Sequence, residues 1–155
     1  MSFERAVEYL DSLGFSDRVI VPGSKSATVS EAAEALGCEP GMIAKTLSFL
    51  VGDKPLLILL EGTARIDNAK FKALFGIKAK MIPGDRVEEL VGHAVGGVCP
   101  FGVNEGVTVC LDESLKLHET VYPAAGTDQS AVRLYISELE KVCPGAKWVD
   151  VSKMS

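Results

Sequence analysis

The chain has 155 residues, 47% hydrophobic and 24% charged, which is enough apolar side chain for one ordinary core without disulfides or metal. That mix excludes a disordered chain. The formal charge of −5 excludes a strongly basic nucleic-acid coat, while leaving room for a local basic pocket that takes one RNA end.

The predicted elements alternate between helical and extended patterns. Phe3, Ala6, Val7, Leu10 and Leu13 recur at helical spacing, with Ser2 as a cap and Gly14 as the stop. Arg18 to Val21 reads as a short strand ended by Pro22-Gly23. Thr28 and Glu31 have capping-box spacing, and Gly37 closes the helix they open. Ala44 to Val51 and Pro55 to Glu61 read as a hairpin turning at Gly52-Asp53-Lys54. Asp67 caps a helix that runs through Phe75 to Gly76, and Lys78 to Ile82 reads as a strand. Asp85 and Glu88 have capping-box spacing for the next helix. Val107 to Leu111 is a predicted strand, followed by a helical turn from Asp112. Ser130 to Tyr135 is another strand; Ser137 and Glu140 open the last helix, and Trp148 to Val151 forms a final strand. Hairpins mixed with short helices predict an α+β fold: residues 1–155 as a single compact domain, with short helices packed around a mixed, mostly antiparallel sheet.

The most apolar run, Pro55 to Leu60, is far below the roughly 20 residues of a membrane span. Glu4, Glu8 and Asp11 stand where an export signal would be apolar, so a cytoplasmic protein is expected. None of the four cysteines (Cys38, Cys99, Cys110, Cys143) forms a CxxC pair, and there are two histidines. No zinc site and no other cofactor is predicted, and the thiols are expected to be reduced.

Three stretches carry candidate chemistry. Strict alternation puts Lys45 on the same strand face as Ile43, Leu47 and Phe49. A lysine there either reaches water at a strand edge or serves as a pocket cation for a phosphate or a carbonyl oxygen. The loop Val95-Gly96-Gly97-Val98-Cys99-Pro100-Phe101-Gly102 is either a tight connector or a set of backbone donors for an oxyanion. It matches no nucleotide-binding glycine pattern. Cys99 is either a small core residue or a nucleophile, and His93 is six residues away with nothing in the sequence to bring the two together. Ala124 to Ser130 is a small-residue loop, either a turn or one wall of a ligand site. His118 reads as a surface residue. Lys70, Lys72, Lys78 and Lys80 read as a solvated face, with RNA-backbone contact as the sharper alternative.

In order, Ala44-Lys45-Thr46-Leu47, Val95 to Gly102 and Tyr122-Pro123-Ala124-Ala125-Gly126 resemble the YbaK/ProX-type aminoacyl-tRNA deacylases, which are similar to the editing domain of bacterial prolyl-tRNA synthetases. The resemblance covers nearly the whole chain. It implies hydrolysis of the ester between a wrong amino acid, cysteine or alanine, and the 3′ adenosine of tRNA(Pro). It implies that Lys45 orients the substrate's 3′ end and that Gly96 and Gly97 border the amino-acid pocket and offer backbone donors to the carbonyl. Thr46, Val98, Cys99, Pro100, Ala125 and Gly126 would complete the substrate-binding surface. The terminal ribose hydroxyl of the tRNA would help activate water, with no protein nucleophile or metal. The expected partners are the acceptor end of a mischarged tRNA and prolyl-tRNA synthetase or an elongation factor, with no membrane and no DNA. Thr46 matches the branch that removes cysteine, whereas Ala124-Ala125-Gly126 departs from that branch's Ser-Gly-Gly. The alternative is a non-catalytic aminoacyl-tRNA or nucleotide binding module with the same pocket.

Overall fold

In the computed structural model, residues 2–22 and 28–154 are described; Gly23, assigned above to the end of the first strand, lies outside them. The spine is the hairpin β2 (Ile43–Val51) and β3 (Lys54–Glu61), paired antiparallel from Ala44↔Glu61 to Val51↔Lys54. β5 (Thr108–Asp112) joins β3 in parallel, and β9 (Lys147–Val149) joins β5 in parallel. On the other side β6 (Thr120–Pro123) lies parallel to β2, and β8 (Leu134–Tyr135) closes the sheet antiparallel to β6. The order is β8-β6-β2-β3-β5-β9. Two small antiparallel pairs stand apart: β1 (Val19–Ile20) with β7 (Ala131–Val132), and β4 (Ala64–Ile66) with β10 (Ser152–Met154). The expected α+β domain with a mixed sheet is the observed fold; in the six-stranded sheet the β2–β3 and β6–β8 pairs are antiparallel and the β2–β6, β3–β5 and β5–β9 pairs parallel.

β3 is buried on both faces, which explains its unbroken Leu-Leu-Ile-Leu-Leu run. Leu56 and Ile58 pack with Phe49 and Phe71, under α3 (Asn68–Phe75). On the opposite face Leu59 joins the cluster with Leu10 of α1 (Ser2–Ser12) and Leu139 of α5 (Ile136–Val142). Leu57 packs against Val87 and Val91 of α4 (Val87–Val91). Each fully buried leucine or isoleucine contributes about 1.5–3 kcal/mol, and this strand supplies residues to all three core clusters.

The helix signals hold where a side chain caps the backbone. Thr28 accepts from Glu31 N–H at 3.1 Å to open α2 (Val29–Leu36), and Gly37 ends it at a φ of 70°. Asp67 accepts from Ala69 and Lys70 N–H to open α3. Four expectations are corrected. Asp85 and Glu88 make no box; α4 starts after Arg86 without a side-chain cap. The segment 78–82 is not a full strand, because it meets β2 only through Leu50 N–H on Lys80 and Ile82 N–H on Ser48. Ser130 to Tyr135 is not one strand but two, β7 and β8, which pair with different partners. The last helix is held at Tyr135, whose N–H donates to Glu138, rather than by Ser137 and Glu140.

Candidate active site

A cavity of about 460 Å³ opens beside the first half of β2. Its floor is Ile43, Ala44, Lys45, Thr46 and Ser48; α2 contributes Val29 and Ala32. One wall comes from the glycine loop, through Val95, Gly96 and Val98. The opposite wall comes from Tyr122, Ala124 and the 127–131 segment. Exposed Val95 and Met81 form apolar lips. A second, shallower cavity on the far side of Lys45 is lined by Leu47, Phe49, Arg65 and Met81. The alternation read from the sequence is visible here, since Lys45, Leu47 and Phe49 border it together.

Lys45 is half-buried and snorkels around the end of the sheet. Its Nζ donates to the carbonyl oxygens of Gly62 at 3.2 Å and Ala64 at 2.5 Å. An ammonium has three N–H bonds, and among the described residues the third has no protein partner. Burial lowers the Lys45 pKa from its ordinary value of 10.5, and the negative charge of Glu61 acts against that shift. Beside it the Thr46 hydroxyl is buried with no hydrogen-bond partner among the described residues. Sequence reasoning did not single out Glu61. It is 3% exposed at the end of β3, accepts from the Thr63 N–H and hydroxyl, and faces His118 Nε2 at 3.6 Å. His118 therefore lies partly inside, not on the surface. The available signal was the acidic residue closing an otherwise apolar strand.

Five of the expected site residues lie behind the cavity. Gly97, Cys99, Pro100, Ala125 and Gly126 are buried and do not line the cavity. The physical reason is a backbone-to-backbone contact: a Cβ on Gly97 would sit 2.1 Å from the Gly126 oxygen, and one on Gly126 would sit 2.4 Å from the Ser2 oxygen. These glycines let two loops and α1 touch. The Gly97 N–H donates to Ala94 O at 3.0 Å, so it is occupied within its own loop. Lys45, Thr46, Gly96 and Val98 are the expected residues that do meet at the cavity.

Cys99 does contact His93, with Sγ 3.5 Å from Nε2. His93 is fully buried, and its Nε2 lies 2.6 Å from the Phe101 carbonyl while its Nδ1 lies 2.6 Å from the Ser2 hydroxyl. A carbonyl only accepts, so Nε2 carries the proton and Nδ1 accepts from Ser2. Nε2 therefore cannot take a proton from Cys99. Burial pushes the Cys99 thiol up to about 12, and it lowers the His93 pKa. The pair is core, not a nucleophile–base dyad. Among the described residues no cluster of three metal-ligating side chains occurs, and no helix is long and apolar enough to cross a membrane.

Known proteins resemble this chain along most of its length. The sequence profile of the aminoacyl-tRNA editing domain matches residues 24–142. The uncharacterized protein YwhH of Bacillus subtilis (strain 168) is 46% identical over 131 residues, covering 84% of this chain and 83% of that protein. A proline–tRNA ligase of Geobacillus sp. (strain WCH70) is 30% identical over 116 residues, 74% of this chain but only 20% of that enzyme. A solved structure described as a proposed trans-editing enzyme for prolyl tRNA synthetase superposes with a TM-score of 0.89 at 33% identity, covering 98% of this chain and 97% of the other. On the profile match, these relatives and the shared architecture, the chain belongs to the aminoacyl-tRNA editing domain family.

Proposed function

We propose that this protein is a trans-editing hydrolase that removes the wrong amino acid from a mischarged tRNA, with Cys- or Ala-tRNA(Pro) as substrate. The observation that carries the reading is the Lys45 ammonium at the border of a cavity with apolar lips: two of its protons rest on main-chain carbonyls, and the third has no partner among the described residues. A cation held this way suits the 3′ end of an aminoacyl-tRNA, where it orients the ester and balances charge that develops on its carbonyl oxygen. Apolar Val95, Val98 and Met81 suit the amino-acid and ribose faces. Thr46 and Ser48 offer hydroxyls. The attacking water would be activated by the terminal ribose hydroxyl of the tRNA, since the one cysteine–histidine contact has the wrong tautomer. The pocket can discriminate a single methylene only about 10–200-fold, which is the range in which a separate editing step is useful. In this reading the protein works in the cytoplasm on the acceptor end alone, and prolyl-tRNA synthetase or an elongation factor would deliver it.

The occupied Gly97 amide favours one second reading, a module that binds the aminoacyl end without turnover. A deacylation panel separates the two. Wild type and Lys45→Ala are incubated with Cys-, Ala-, Ser- and Pro-tRNA(Pro), and loss of labelled amino acid is followed. Hydrolysis of one mischarged species, reduced at least about 100-fold in the variant, is the expected result. Binding of an aminoacyl-adenosine analogue with no hydrolysis of any species would establish the module instead.

A further inference from the structure

The oxygen of Gly62 that accepts from Lys45 and the N–H of Thr63 that donates to Glu61 belong to the same peptide group. The order of atoms is ammonium, C=O, N–H, carboxylate. One peptide dipole is thus held between a positive charge at its oxygen and a negative charge at its hydrogen. This is the favourable orientation at both ends, and each charge polarises the group for the other. Register explains how it arises. Lys45 pairs with Leu60 and Glu61 with Ala44, so the two side chains leave the hairpin on opposite faces. They meet only because the 62–64 turn curls over the strand end.

We infer that Glu61 is the positioning residue for Lys45: it acts through the Gly62–Thr63 peptide to hold the ammonium charged and aimed at the cavity. Glu61 does not touch the cavity itself. Its other contacts support a built device. The Thr63 hydroxyl donates to the same carboxylate oxygen, and His118 faces the second oxygen at 3.6 Å. A Cβ on Gly62 would lie 2.2 Å from the Pro40 oxygen, and one on Gly41 would lie 2.6 Å from His118 Nε2. Glycine at position 62 lets the turn close on the Pro40 backbone, and a side chain at position 41 would displace the His118 ring from the buried carboxylate. Among the described residues, the charged or titratable groups around Lys45 are Glu61 on β3, His118 behind it, Arg65 on β4, and Tyr122 and Asp128 across the cavity. Glu61 is the one linked to it through a hydrogen-bonded peptide.

The inference rests on the proposed use of Lys45, and its test has an arm independent of activity. Lysine side chains of the full chain are labelled with 13C, the Lys45 resonance is assigned with Lys45→Arg, and its titration is followed by NMR in wild type, Glu61→Gln and Glu61→Asp. The expected result is a lower Lys45 pKa in Glu61→Gln and a value near wild type in Glu61→Asp, which keeps the charge. In the deacylation assay the high-pH limb moves to lower pH in Glu61→Gln, and activity is partly regained at lower pH. An unchanged Lys45 titration in folded Glu61→Gln overturns the inference whatever the enzyme does. A shifted titration together with full activity of Lys45→Ala leaves the Glu61–Lys45 link intact and refutes the proposed use of the lysine.

Discussion

A lysine ammonium inside a sheet must be solvated by something, and at position 45 two main-chain carbonyls replace water. That arrangement differs from a strand-edge lysine that simply reaches water, because half-buried Lys45 rests on two main-chain carbonyls at the border of the cavity. The alternation of β2 was legible, so the face of Lys45 was too. What the ammonium would meet was not, since its partners come from the turn after the next strand. The glycine loop shows the same division. Its small residues were visible, but whether each lined a ligand or a neighbouring backbone depended on the loop at 124–130. Gly97→Ala separates these roles. It should destabilise the fold by about 1–3 kcal/mol or more, measured by urea unfolding, because its Cβ meets the Gly126 carbonyl. A variant with wild-type stability and no activity would instead point to a direct part in the chemistry. The cysteines offer a second check. With their thiols buried and shifted upwards, Cys99 and Cys143 should resist iodoacetamide at pH 8 in the native protein while half-buried Cys38 reacts first. Rapid labelling of Cys99, read by mass spectrometry, would contradict its assignment to the core.

Elements with local capping chemistry were readable from the chain, and those defined only by a partner were not. α2 and α3 start at Thr28 and Asp67 because their side chains satisfy the first free N–H groups. Short strands such as β4 and β10 have no periodicity to read; each exists because the other lies beside it. Asp112 links that outlying pair to the main sheet. Its fully buried carboxylate accepts from Ser114 N–H at 2.9 Å, Val151 N–H at 2.9 Å and the Ser152 hydroxyl at 2.5 Å. The sequence marked it as the start of the following turn, which it caps through Ser114 N–H, but its tie to Ser152 of β10 spans 40 residues. Asp112→Asn turns one acceptor into a donor facing N–H or O–H groups. A loss of about 2–3 kcal/mol is expected, with faster amide exchange in β10 and β4. Exchange confined to the 113–117 turn would limit Asp112 to capping.

Across the whole molecule, the buried histidine couples folding to pH. His93 has a folded pKa below 6.5, chiefly through burial, with Arg5 adding to the shift and the Phe101 carbonyl opposing it. Below pH 6.5 the unfolded chain takes up a proton that the folded chain refuses, so stability falls as pH drops from about 6.5 to the folded value. The slope is at most about 1.4 kcal/mol per pH unit for one proton. Glu138, held down mainly by Arg18, and Asp67, held down mainly by the Lys70 N–H, have depressed pKa values and lose their contribution only at more acid pH. Urea midpoints between pH 7.5 and 5 should therefore decline in wild type and flatten in His93→Gln. Equal slopes in the two proteins would place the proton uptake elsewhere.

The α+β class, the central hairpin, the capped helices and the position of Lys45 on a strand face are all legible in the chain alone. Those follow from periods of two and 3.6 residues and from caps that act within one turn. Long-range packing sets which small residues face the cavity, brings His93 to Cys99 in the unreactive tautomer, and links Glu61 to Lys45 through a shared peptide. Each of those contacts joins segments far apart in the chain or on opposite faces of one hairpin, where local spacing carries no information about direction or hydrogen-bond order.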